Sequence, residues 1–196
     1  MKQNLLTLAI ATLSLATTSA FGEIKNLVIN GDFNAPGAAT DAQVRESAPE
    51  RVPSWTTMRS RWFVDLNAKP PVPDASVLKA KGDGRKPTEL IQNIELEPGK
   101  VYTMSAWIRG EDLVDIPSRP TGLVLTNWGW TSTASLTEVA EIGPEWKQYT
   151  RAFVAPKEVL DGDTQQPCQL RVFLPEGETG TIWITDIRVV EGGKLE

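Results

Sequence analysis

The residues of this chain best equipped for chemistry are its 7 tryptophans and the planar donors that accompany them. Trp107 stands two residues before Arg109, Asn127 opens the run Trp128-Gly129-Trp130, Arg61 precedes Trp62, and Gln169 and Arg171 flank Leu170. Indole rings offer flat contact area with few rotamers to lose, while guanidinium and carboxamide groups fix the direction of hydrogen bonds. Such pairs suit recognition by stacking. Bond-breaking chemistry is more restricted, because the chain has no His and 1 Cys. That excludes Ser-His-Asp and Cys-His catalysis, imidazole metal sites and multi-thiolate clusters, and leaves carboxylates, Lys, Tyr and hydroxyls. With 20 Lys+Arg against 25 Asp+Glu, the formal charge of -5 argues against nucleic acid as a partner.

Residues 1–20 are expected to be a secretory signal: Lys2 supplies a positive region, Leu5 to Ala16 a largely apolar run, and Thr18-Ser19-Ala20 a small-residue cleavage site. The apolar run is too short for a bilayer span. A single mature domain, 21–196, with no membrane span and a secreted or periplasmic location is the expectation. Cys168 can form no intramolecular disulfide and reads as a small hydrophobe at a strand start.

The elements that must position these residues read as strands, because apolar residues alternate or run in short blocks between Pro and Gly clusters. The expected strands are 24–30, 61–65, 76–80, 88–95, 101–109, 121–128, 136–142, 146–154, 168–174 and 181–190. Glu97-Pro98-Gly99-Lys100, Lys81-Gly82-Asp83-Gly84 and Pro175 to Gly180 carry turn chemistry between them. An all-β, two-sheet β-sandwich of jelly-roll type follows. Alternation over 101–109 sets Tyr102, Met104, Ala106 and Ile108 on a core face, with Thr103, Ser105, Trp107 and Arg109 on the other. In 169–174, Leu170, Val172 and Leu174 oppose Gln169, Arg171 and Phe173 in the same way.

Three separated motifs resemble the carbohydrate-binding modules of families four and nine, which are galactose-binding-like jelly-roll domains. They are Asn26-Leu27-Val28-Ile29-Asn30-Gly31-Asp32-Phe33, the stretch from Gln92 through Pro98-Gly99 to Trp107, and Gly180-Thr181-Ile182-Trp183-Ile184-Thr185-Asp186-Ile187-Arg188-Val189. Trp146 to Pro156 fits a fourth block. The resemblance implies non-catalytic binding of a polysaccharide or oligosaccharide, in the service of a glycoside hydrolase or a surface assembly. It also implies a structural calcium, held by an acidic residue after the opening Phe and an Asp in the final strand. Here Asn34 and Thr185 occupy those places and Asp186 is adjacent, so Asp32, Asn34 and Asp186 are the candidate ligands and weak calcium stabilisation at most is expected.

A pyranose has an apolar C–H face and an equatorial belt of hydroxyls, so it calls for a ring flanked by planar donors and acceptors. Trp107, Arg109, Trp128, Trp130, Trp62, Gln169 and Arg171 are the candidate carbohydrate contacts, while Trp55 reads as core and Trp146 and Trp183, in strands with apolar neighbours, as structural. Arg45, Arg51, Arg59 and Arg61 form a modest basic stretch, either a solvated loop or a reader of acidic glycans. Two alternatives remain open: a structural or adhesion sandwich binding a protein or surface polymer, and a glycoside hydrolase using two carboxylates, although Glu111, Asp112 and Asp115 fall in a Pro-containing connection and Glu95 and Glu97 beside a turn.

Overall fold

The computed structural model describes residues 25–37, 52–56, 61–117, 119–126, 132–137, 139–156 and 168–195. The signal-like segment and Arg45, Arg51 and Arg59 lie outside them. Nine strands are present among the described residues: β1 (Phe63–Val64), β2 (Leu78–Lys81), β3 (Thr88–Ile94), β4 (Val101–Glu111), β5 (Gly122–Thr126), β6 (Ser132–Ser135), β7 (Lys147–Val154), β8 (Cys168–Leu174) and β9 (Thr181–Glu191). All pairings are antiparallel. They form a five-stranded sheet ordered β1-β2-β9-β4-β7 and a four-stranded sheet ordered β3-β8-β5-β6. Successive strands mostly switch sheets, so β9 closes the gap between β2 and β4, and β8 that between β3 and β5. This is the all-β jelly-roll sandwich expected from the sequence.

The inward sets meet between the sheets. Tyr102, Met104, Ala106 and Ile108 of β4 join Leu90 and Ile94 of β3, Leu123 and Leu125 of β5, and Leu170, Val172 and Leu174 of β8 in one buried cluster. β9 needs a correction of parity to contribute along its whole length, because Ile182 and Ile184 are out of phase with Ile187 and Val189 under strict alternation. A bulge supplies it: the β4–β9 register shifts between Ser105 and Trp107, and Asp186 takes φ 51°. All four side chains then reach the core.

Two expected strands take other forms. In 24–30 the backbone joins β9 through Leu27 N–H to Val189 O, but the next groups turn to side chains. The Gln92 carboxamide accepts from Ile29 N–H at 2.8 Å and donates to Ile29 O at 2.9 Å and Ser54 O at 3.0 Å. It thus pairs Ile29 as a neighbouring peptide would, and a strand is unnecessary. Gly31 follows under a tight approach, where a Cβ would lie 2.1 Å from Ile187 O. Within 136–142, where a strand was expected, a 3₁₀ turn occupies Val139–Glu141, and the β6 strand ends before it at Ser135.

The outer face of the five-stranded sheet carries a cross-strand row. Phe63 pairs with Lys79, Lys79 with Trp183 and Trp183 with Arg109 in register, and Trp146 precedes Lys147, the partner of Ile108. Rings and cations therefore alternate across four strands and the residue that leads into β7. Lys79 Nζ lies 5.9 Å from the Phe63 ring centre and 5.2 Å from that of Trp183, and Arg109 Cζ lies 3.9 Å from Trp183 and 5.6 Å from Trp146. Each such contact stabilises by about 0.5–2 kcal/mol, more as water is excluded. The indole N–H groups are anchored as well, Trp183 to Asp65 Oδ2 at 2.9 Å and Trp146 to Lys69 O at 3.1 Å.

Burial alone would raise the pKa of Asp65, but donation from the Trp183 indole and the Asn67 backbone N–H, with the charge of Lys79, outweighs it and holds the carboxyl below its ordinary value of 3.8. A depressed carboxyl stabilises the fold above its unfolded pKa and loses that contribution as pH falls through the folded value. Asp65→Asn is therefore expected to flatten part of the stability loss below about pH 4, measured by urea denaturation across pH 2 to 6. Gln92→Ala, which strips the partners from Ile29, should cost about 1–3 kcal/mol in the same assay at neutral pH. Met104→Ala, at a core position 0% exposed, should cost about 2–5 kcal/mol.

Candidate functional site

The sequence-predicted contacts separate onto different surfaces. Trp107 and Arg109 point outward from β4 on the five-stranded sheet, as alternation predicts, but Arg109 is clasped between Trp183 and Trp146 and also pairs with Glu111 at 3.2 Å. Its fork is engaged in holding the row. Trp107 is half-buried beside it, opposite Thr185 and Gln148. Trp62 does not supply a site wall: it is 0% exposed and packs in the inter-sheet cluster, because alternation through Trp62-Phe63-Val64 puts Trp62 on the same inward face as Val64 and leaves Phe63 on the outer one. Arg61 is bonded to Asp83, whose carboxyl this contact holds well below the usual range. Trp128 and Trp130 lie outside the described residues. Trp55 is core as expected, with its ring 5.9 Å from that of Phe33.

Gln169 and Arg171 lie on the other surface, the outer face of the four-stranded sheet. Register fixes who stands beside them. Asn93, Gln169 and Thr126 form one row across β3, β8 and β5; Ile91, Arg171 and Val124 form the next; Glu89, Phe173 and Gly122 form the third. Arg171 sits centrally and reaches both ways. Its Nε donates to Thr126 Oγ1 at 3.0 Å, NH1 to Glu89 Oε2 at 2.6 Å, and NH2 to Gln169 Oε1. Gln169 Nε2 in turn donates to Asn93 Oδ1 at 3.3 Å. Arg171 is 3% exposed and Gln169 8%, whereas Asn93 is exposed and Glu89 half-buried.

Glu89, Asn93 and Thr126 were not singled out in the sequence. The available signal was alternation in Thr88 to Ile94, where Glu89, Ile91 and Asn93 oppose Leu90 and Ile94; what turns that into a site is pairing with a strand about 80 residues away along the chain. This arrangement is costly as a purely structural device. A guanidinium and a carboxylate withdrawn from water need close mutual geometry and further hydrogen bonds to offset desolvation, and apolar side chains of similar volume would commonly stabilise as much. What the network provides is fixed orientation of polar atoms on a partly enclosed sheet face.

Of the candidate cation ligands, Asn34 Nδ2 donates to Asp32 Oδ2 at 3.4 Å. Asp32 and Asp186 line one surface cavity of about 480 Å³, but Arg188 lines it too and its Nε donates to Asp186 Oδ1 at 2.9 Å. Asn34 turns its oxygen to the Ser76 hydroxyl at 2.7 Å. Calcium takes six to eight oxygens, backbone carbonyls and waters among them, and a guanidinium in the same cavity opposes a dication. Glu111, Asp112 and Asp115 line a separate surface cavity of about 560 Å³, with Glu111 held by Arg109. Cys168 opens β8 half-buried against the core, and burial pushes its thiol pKa up.

No protein-family model and no curated protein matches the chain. Solved structures do. A family 4 carbohydrate-binding module superposes with a TM-score of 0.51 at 20% identity, over 84% of this chain and 99% of its own. A family 61 carbohydrate-binding module in complex with β-1,4-galactotriose gives 0.51 at 16%, over 86% and 99%. The second N-terminal cellulose-binding domain of β-1,4-glucanase C from Cellulomonas fimi gives 0.51 at 12%, over 89% and 99%. A cyclase from Fischerella sp. TAU is similar to the same degree, with 0.54 at 16% over 87% and 98%. At these identities the likeness is one of fold: the chain adopts the jelly-roll β-sandwich found in carbohydrate-binding modules, as its three motifs implied.

Proposed function

We propose that this chain binds a polysaccharide or oligosaccharide without cleaving it, on the outer face of the four-stranded sheet. The observation that carries the reading is the Arg171 network: Glu89, Gln169, Asn93 and Thr126, drawn from three strands, are held as a partly enclosed polar face with Ile91, Val124 and Phe173 between them. Of this network Asn93 is exposed and Glu89 half-buried, and a sugar's hydroxyl belt needs directed polar partners of that kind. Trp128 and Trp130 follow Thr126 by two and four residues. They are the stacking rings of the proposal. The fold is shared with a cellulose-binding domain and with a module solved with a galactotriose, which supports sugar as the ligand class. The signal-like N-terminus supports an exported protein working outside the cytoplasm.

Affinity electrophoresis in gels containing soluble β-1,4-galactan, a mixed-linkage β-glucan or xylan is expected to show retardation of the wild type by at least one polymer. Trp128→Ala or Trp130→Ala should weaken that binding by about tenfold or more, near 1.4 kcal/mol, whereas Trp107→Ala should leave it within about twofold. Loss through Trp107→Ala alone would move the site to the five-stranded face. Retention by no polymer would favour the adhesion reading, and reducing sugar released over time would show a hydrolase.

A further inference from the structure

Arg171 was expected to touch the ligand directly, but its hydrogen bonds give it a different task. We infer that Arg171 is a positioning residue that sets the orientation of two carboxamides in series, so that Asn93 presents an N–H donor to a hydroxyl or ring oxygen of the bound glycan. The inference rests on the proposed sugar-binding face.

The direction of the relay follows from donor and acceptor inventory. A guanidinium has five N–H donors and no acceptor. Facing Arg171 NH2, Gln169 must therefore offer its carbonyl oxygen, and it does. That leaves the Gln169 NH2 group pointing along the row toward β3, where only an acceptor can meet it. Asn93 answers with Oδ1 at 3.3 Å. The Asn93 NH2 group is then turned away from the network. Among the described residues it donates to no protein group, and the residue is exposed. A carboxamide free of such constraint could flip and present oxygen or nitrogen alike; here flipping would set two NH2 groups against each other.

The anchor at the head of the relay is firm. Glu89 holds NH1 at 2.6 Å and Thr126 holds Nε at 3.0 Å, so the guanidinium plane is fixed from both sides. The end of the relay lies in the row formed with Thr126, the residue from which the chain leaves β5 toward Trp128 and Trp130.

Two near-isosteric variants test this, with binding to β-1,4-galactan, mixed-linkage β-glucan and xylan measured by affinity electrophoresis and by calorimetry. Gln169→Glu keeps an acceptor for Arg171, indeed a stronger one, but cannot donate to Asn93 at neutral pH; affinity is expected to fall about five- to tenfold although the melting temperature does not drop. Asn93→Asp replaces the exposed donor by an acceptor and should weaken binding about tenfold at pH 7. Relative to wild type, Asn93→Asp should recover as the pH is lowered toward 4, because a protonated carboxyl donates again. A merely structural role for Asn93 would show no such recovery. If either variant binds within twofold of wild type at pH 7, or Asn93→Asp fails to recover at low pH, the relay is overturned while the sugar-binding face stands. A wild type that binds none of the three polymers overturns the proposed function, and this inference with it.

Discussion

The contact on which the rest of the molecule depends is the apolar seam between the two sheets. Side chains alternate along a strand, so burying Tyr102, Met104, Ala106 and Ile108 against Leu90, Leu123 and Leu170 also decides what must face outward. Trp107 and Arg109 leave one side of the sandwich, Gln169 and Arg171 the other. Strong selection for the inward set is visible in β9, where the backbone accepts a bulge and a positive φ at Asp186 rather than expose Ile187 and Val189. The two outer surfaces are by-products of the seam that the chain has put to different ends.

On the five-stranded side the outward residues close on one another. Rings alternate with Lys79 and Arg109 across the strands, and Asp65 and the Lys69 carbonyl fasten the indole N–H groups. A face built this way stabilises itself and offers a ligand little that is unspent. On the four-stranded side the central cation is instead met by a carboxylate, a hydroxyl and an amide, each itself pointing somewhere. Arg109 and Arg171 have the same side chain and similar parity, yet one ends in π-stacking and the other in a directional network. Neighbours across the strands, not neighbours in the chain, make the difference.

The shared architecture is a statement about packing rather than chemistry. A cellulose-binding domain, a galactotriose-bound module and a cyclase all resemble this chain at 12–16% identity. A two-sheet sandwich tolerates such divergence because its core asks only for apolar side chains of suitable volume at alternate positions, while outer faces and connecting segments vary freely. Function here therefore rests on the particular residues of one face.

Composition and periodicity were enough to establish the all-β class, the two-sheet sandwich, the inward sets of β4 and β8, and the exclusion of histidine and multi-thiolate chemistry, since each depends only on residue types and the fixed two-residue repeat of a strand. They were not enough for 24–30, where Gln92 replaces a neighbouring strand, or for Trp62, which sits in the core although it borders a half-buried arginine. Nor could they tell that Arg109 stacks while Arg171 orders Gln169 and Asn93. Those outcomes depend on strand register, which brings residues some 80 positions apart to within hydrogen-bond distance, and register is settled by the collective fit of both sheets, not by any local stretch of the chain.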